Sequence, residues 1–340
     1  MTGRRYSMFS GGLGSWRASK VDRLFHPTAE FGLVFTDPLY EDADTYRFLI
    51  EAAAEVLGRS LPFTVTAEDF PDYRVPEDTP IEEYRGNPEW RAFLADLRAR
   101  TIDALPELVW LVDGRDPWEV FRDESFLGNS QRDPCSKILK RHMADAWRIG
   151  HCRRVGELFG PPDVFLVGIG IDESHRYYGD SKNLGIRRAN AADGWIYEAP
   201  LIALEEAVAR LSGAQIRAEL PAGALSLLVA PVEEFGLRAP RMYPKGYKHG
   251  NCGGMCCKAG HAHYRNRFAV DPERFRYDKI MERKLISYVG GGVAMMTDRR
   301  GGEKRPMTLE EFEQRILAEP GRDYEYLPGE SSCGCVGAWA

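Results

Sequence analysis

Five of the seven cysteines lie at or beyond residue 252, and this clustering is the plainest chemical signal in the chain. The stretch HGNCGGMCCKAGHAH sets Cys252, Cys256 and Cys257 among His249, His261 and His263, and SSCGCVG adds Cys333 and Cys335. Glycines between thiols let a chain wrap an ion or a cluster. The thiolate-loving groups are tetrahedral zinc and iron–sulfur clusters. Zinc would take four ligands, such as Cys252, Cys256, Cys333 and Cys335. A cluster could draw Cys135 in with Cys252 and Cys256, with Cys257, Cys333 and Cys335 as alternates. Packed thiols without metal are the third reading. The histidines can be ligands, phosphate contacts or surface residues.

Three more stretches carry groups suited to anions and nucleophiles. In FSGGLGSW, Ser10, Gly11, Gly12, Gly14 and Ser15 separate a short strand from a helical run. A glycine turn at a helix N-terminus presents backbone N–H groups and a favourable dipole to an anion. It is neither a Walker A loop nor a Gly-x-Gly-x-x-Gly turn, and a tight turn without a ligand is the competing reading. GIGIDESHR carries Glu173, Ser174 and Arg176 off a strand end, where a guanidinium can grip phosphate or sulfate bidentately. An ordinary surface pair of Glu173 and Arg176 is the alternative. DPCSKILKR puts Cys135 near a helix start with Lys140 in the same run. Such a thiol suits a nucleophile or metal ligand, or is simply buried and inert.

The elements that must position these groups read as an α/β chain. RRYSMF and EFGLVFTD are strands, ADTYRFLIEAAAEVLG is a helix ending at Gly58, and LPFTVTAED is a third strand. Strand–helix alternation indicates a parallel sheet with helices on both faces. An acidic, proline-rich insertion is expected at about 70–130, with a buried strand in ELVWLVDG. Residues 133–150 read as a helix and 162–176 as a buried strand running into a polar loop. A helix over LIALEEAVARLSG is expected to end at Gly213, and TLEEFEQRIL to start at Thr308. Two units result: 1–235, α/β, and 236–340, basic and rich in Cys and His.

With 340 residues and 44% hydrophobic content, the chain can bury an ordinary core. No apolar run approaches the roughly 18 residues of a membrane span, and no signal-peptide segment opens it. A cytoplasmic protein is expected, and there clustered cysteines favour metal binding or catalysis over disulfides. The net charge of −6 hides 16 Lys or Arg against 6 Asp or Glu over 236–305. This local excess could steer a nucleic acid, hold one anionic intermediate, or be a solvated face.

The loop resembles the PP-loop of the ATP pyrophosphatases, Ser-Gly-Gly-x-Asp-Ser: Ser10, Gly11, Gly12 and Ser15 match, and Gly14 stands in place of Asp. GIGIDESHR is similar to the glycine–arginine–glutamate–serine–arginine segment of the phosphoadenosine phosphosulfate reductase-like branch. Glu173, Ser174 and Arg176 match there, and Gly170 replaces the first arginine. Cys135 and Lys140 resemble the Cys-x-x-x-x-Lys segment of PP-loop sulfur enzymes. The Cys/His stretch looks like one in phage and bacterial members of the reductase-like family. The likeness spans roughly residues 5–230.

That resemblance implies a three-layer α/β/α, Rossmann-like fold and an enzyme that uses ATP and Mg²⁺ to adenylate its substrate, releasing pyrophosphate. It implies that Ser10, Gly11, Gly12, Gly14 and Ser15 hold phosphates, with Thr36 and Asp37 near the adenosine. Glu173, Ser174 and Arg176 would bind the transferring or anionic group, and Cys135, Lys140, Glu173 and Arg176 would be the catalytic residues. Cys135, Cys252 and Cys256 would hold a [4Fe–4S] cluster or relay sulfur from sulfide or a persulfide carrier. Two other classes stay open. One is a thiol-dependent reductase of adenylyl- or phosphoadenylyl-sulfate, although the reductases' C-terminal Glu-Cys-Gly-x-His is missing. The other is a nucleotide- or nucleic-acid-binding module stapled by Zn²⁺.

Overall fold

The structure, a computed structural model, describes residues 3–324 apart from 182, 299, 301 and 302. Five parallel strands form the central sheet: β1 Arg5–Met8, β2 Phe31–Asp37, β3 Leu108–Val112, β4 Val164–Leu166 and β5 Ile196–Glu198. Their order is β3-β2-β1-β4-β5. Helices cover both faces, a three-layer α/β/α arrangement of Rossmann type. Strand periodicity divides the faces. On β1, the Ser7 hydroxyl meets Ser19 of helix α1, Leu13–Phe25, at 2.8 Å. Tyr6, one residue earlier, packs edge-on against Trp147 on the opposite side.

The chain runs from β1 outward through β2 and β3, then crosses to β4 on the other side of β1. The order therefore reverses between β1 and β4, and the crevice beyond their carboxyl ends is where open α/β sheets bind ligands. The loop after β1 and the Gly168–Glu173 segment after β4 both face it.

Several expected boundaries move. LPFTVTAED is not a strand: Thr66 and Asp69 cap each other around a 3-10 turn at Ala67–Asp69, which ends any extended run. The third strand is β3, inside the expected insertion, in register with β2 from Leu33 to Asp37. The 162–176 strand is only Val164–Leu166, because glycines 168 and 170 turn the chain into the crevice. Gly213 starts a helix instead of ending one, since Ser212 and Gln215 form a capping box there. The helix at Leu309–Ala318 does start from Thr308, boxed with Glu311.

The second core does not follow the expected division at 235. Tyr84, Trp118 and Phe121 from the insertion pack with Cys252, Tyr264, Phe275, Met281 and Phe312 from the C-terminal region. Ion pairs from buried carboxylates tie this region to helix α2, Ala43–Leu57. Asp42, its N-cap, binds Arg241 and Arg274 at 2.8 Å each. Asp44 accepts from the Arg241 backbone N–H at 2.7 Å. Burial opposes the Asp42 charge, but the two guanidiniums outweigh it and hold its carboxyl below the usual range. These contacts lay residues 240–251 along the crevice.

Candidate functional site: a nucleotide-sized cleft beside a cysteine cavity

The crevice is a cleft of about 420 Å³, within the range of small-molecule sites. It is lined by Ser10, Gly11, Gly12, Gly14 and Ser15 after β1, Thr36 after β2, Lys140, and Glu173 and Arg176 after β4. Lys248, His249 and Asn251 close it from the C-terminal region. Most of the residues singled out from the sequence therefore meet in one place.

The loop geometry follows from its residue types. Gly11 adopts φ 73°, a left-handed turn that glycine accepts at no steric cost. The Ser15 hydroxyl accepts from the Ser10 backbone N–H at 3.2 Å and donates to the Gly12 carbonyl at 2.9 Å. Ser15 thus holds the turn closed, while the exposed Ser10 faces the cleft. Gly12 is the N-cap of α1 and supplies no side-chain acceptor to the first-turn N–H groups. The Leu13 N–H donates to the Tyr243 hydroxyl at 3.2 Å.

Gly14 owes its identity to β4. A Cβ there would stand 2.6 Å from the Gly168 carbonyl oxygen, and a Cβ on Gly168 would stand 2.4 Å from the Ser15 nitrogen. The two backbones touch, so neither position admits a side chain without movement. A carboxylate at 14 is incompatible with this packing. Asp172 and Glu173 are the cleft's carboxylates and the groups that could face Mg²⁺.

Two expected contacts are placed elsewhere. Asp37 does not line the cleft: it is buried, accepting from the Tyr46 hydroxyl at 2.6 Å, Trp110 Nε1 at 3.0 Å and the Leu39 N–H at 2.7 Å. Burial pushes its carboxyl up to about 6, against the pull of those donors. Ser174 opens a short helix, Ser174–Tyr178, and is not among the cleft-lining residues. Glu173 and Arg176 pair with each other at 2.7 Å.

Lys140 also lines a much smaller cavity of about 20 Å³. Cys135, Cys252, Cys256 and Cys257 all line it, with Asp133 and Lys258. Residues more than a hundred positions apart meet there: Cys135 Sγ is 3.9 Å from Cys257 Sγ. Burial pushes the Cys256 thiol up to about 11 and the Cys252 thiol well up. The hydrogen bond with Cys135, then burial, does the same for Cys257. Cys252 has φ 53°, a left-handed backbone in a non-glycine residue. Such conformations cost about 1–3 kcal/mol and concentrate at functional sites. Cys333 and Cys335 lie outside the described residues.

The donor set tests the metal readings. Tetrahedral zinc with Zn–S of about 2.3 Å needs sulfurs about 3.8 Å apart throughout. Among the described residues, the only three His, Cys, Asp or Glu ligand atoms within 4.8 Å of one another belong to Asp22, His26 and Glu198. That group is explained by Arg5, which pairs with Asp22 at 2.6 Å and also with Glu198. The four cysteines are thus gathered more loosely than zinc requires. An iron–sulfur cluster, with each thiolate on a different iron, accommodates wider spacing.

Glu41 gave no signal in the sequence. It is buried, meets Lys140 Nζ at 3.2 Å through one oxygen and accepts from the Gly253 N–H at 3.4 Å through the other. Burial pulls the Lys140 ammonium down, but Cys252 and Glu41 more than offset it, and its affinity for the proton is raised. The only sequence cue to Glu41 is its place just beyond β2, four residues from Asp37.

The basic region looks different once folded. Arg238, Arg241, Lys245, Arg267, Arg274, Arg276, Lys279, Arg300 and Arg305 are all in ion pairs. Several partners, including Asp42, Asp44 and Glu77, come from the acidic first half, so much of the excess is neutralised internally. Among the described residues, no helix is long and apolar enough to cross a membrane. The chain matches no family model, no curated protein and no solved structure.

Proposed function

We propose that the protein is an ATP-dependent adenylating enzyme whose cleft activates a substrate beside a thiolate-bound iron–sulfur cluster. The observation that carries this reading is the position of Lys140, which lines both the glycine-loop cleft and the four-cysteine cavity. A buried ammonium between a phosphate site and a sulfur site suits a reaction in which activation and sulfur transfer occur within one reach.

In this reading the Ser10–Ser15 turn and the start of α1 hold the β- and γ-phosphates through backbone N–H groups. Lys140 and Arg176 draw negative charge from the α-phosphate as a substrate oxygen attacks it and pyrophosphate leaves. Asp172 and Glu173 would hold Mg²⁺. Cys135, Cys252 and Cys256 would hold the cluster, with Cys257 as a neighbouring thiol. When bound, a three-thiolate cluster supplies an iron open to a sulfur ligand. Sulfide would be the donor, its sulfur forming the new bond as the bond to the adenylated oxygen breaks and AMP leaves. A persulfide carrier would leave a mixed disulfide, which a second thiol must attack to free the product. A nucleic-acid acceptor draws little support from a surface whose arginines are so widely paired.

Calorimetry with MgATP tests the cleft. Gly12→Val places a side chain where the Tyr243 hydroxyl is 3.1 Å from the new Cβ. The wild type should bind, and the variant should lose binding while keeping its circular dichroism. Equal affinity in both overturns the assignment. Pyrophosphate release from ATP separates this reading from an adenylyl-sulfate reductase, which uses no ATP, and from a binding module, which turns over nothing.

A further inference from the structure

His249 lines the cleft from the C-terminal side. Both of its ring nitrogens are buried, and neither has a hydrogen-bond partner among the described residues. A buried polar atom left unmet is uncommon and calls for an explanation such as a ligand. The ring is held in place, stacked at 5.3 Å on His263. His263 is itself anchored through Nε2 to the Gly254 carbonyl at 2.7 Å.

We propose that His249 is a phosphate-chain contact, its ring N–H donating to a phosphoryl oxygen held between Lys140 and Arg176. This rests on the reading of the cleft as a nucleoside triphosphate site. Lys140 and Arg176 line the same cleft. Burial first, then His263, Lys140 and Arg176, push the imidazole down to about 3. The ring is therefore neutral at physiological pH, with one donor and one acceptor. A polyanion gives the ring N–H an acceptor, and it would lie beside two cations, Lys140 and Arg176, whose present carboxylate partners are Glu41 and Glu173. A metal role fits less well, because His249 belongs to no convergent ligand set among the described residues. Nor does it line the cysteine cavity.

The test uses full-length protein labelled with ¹⁵N-histidine, the His249 ring signals being identified by their loss in His249→Gln. MgATP and inorganic pyrophosphate should each move these signals, whereas adenosine should leave them in place. Calorimetry with pyrophosphate should show His249→Phe weakened by about ten- to hundredfold, the effect of losing a hydrogen bond to a charged group. His249→Gln, which retains an N–H donor, should stay within a few-fold of wild type. If MgATP binds but the ring signals do not move and His249→Phe binds equally well, the proposal is overturned and the cleft reading survives. If neither MgATP nor pyrophosphate binds the wild type, the cleft reading fails and this proposal falls with it.

Discussion

The glycine-loop cleft and the cysteine cavity share Lys140 as a wall but differ in readiness. The cleft holds about 420 Å³ and the cavity about 20 Å³. The cleft is assembled by backbone: left-handed Gly11, the Gly14–Gly168 contact and the Ser15 hydroxyl shape it without any ligand. The cavity is assembled by side chains, with buried thiols pushed up toward their neutral form. On the proposed function, phosphate binding would ask little reorganisation of the protein. Metal binding would have to displace protons and spread the sulfurs, making loading a separate, chemically demanding event.

The largest effect should follow from Cys252→Ser. Anaerobically purified wild type should contain iron and sulfide, and the variant should lose nearly all of both while its MgATP affinity stays within a few-fold. A variant that keeps its iron would remove Cys252 from the ligand set.

Next comes the core behind the cysteines. Glu282 is buried and accepts from the Met295 and Leu309 N–H groups at 2.9 and 2.6 Å. Burial pushes its carboxyl up to about 7 from 4.5, against those donors. Between these values the folded chain binds the extra proton, so this contribution to stability is fully present below pH 4.5 and is lost as pH rises to 7. The loss is about 3 kcal/mol. Urea unfolding across that window should show Glu282→Gln lacking this slope. Parallel slopes in both proteins would contradict it.

A smaller effect is expected at the cleft. Placing a carboxylate in the loop with Gly14→Asp should disturb it, because the new Cβ meets the Gly168 carbonyl at 2.6 Å. Overpacking of this kind costs about 1–3 kcal/mol. Both the melting temperature and MgATP affinity should fall; tighter binding would show that the loop relaxes freely. The smallest change is Tyr243→Phe, which removes the hydroxyl held by the Leu13 N–H. That donor becomes available to phosphate, and affinity should rise about two- to tenfold, the scale of one hydrogen bond. Weaker binding would make Tyr243 a ligand contact instead of a competitor.

The contrast also explains what the sequence could reveal. Ser10 through Ser15 are contiguous, and strand–turn–helix order already places them at the end of β1. The parallel sheet was legible for the same reason, since its signals lie within single elements. β3 was harder to assign to the sheet, because the turn capped by Thr66 and Asp69 and the long helix at Pro88–Ala104 separate it from β2. Asp37 was misplaced because alternation does not say which end of a strand turns inward, and Tyr46 and Trp110 claim its carboxylate. Glu41 and His249 depend on residues 240–253 folding back over the first domain. That docking is set by Asp42 and Asp44 pairing with distant arginines, which no local pattern encodes.

The most direct test of the central claim is the absorbance spectrum of anaerobically purified protein, recorded before and after adding MgATP. With Lys140 common to both cavities, the account predicts a thiolate-ligated cluster band near roughly 400 nm that shifts as MgATP fills the cleft. A colourless protein would contradict the account. So would a cluster spectrum that MgATP leaves unchanged while calorimetry shows the nucleotide bound.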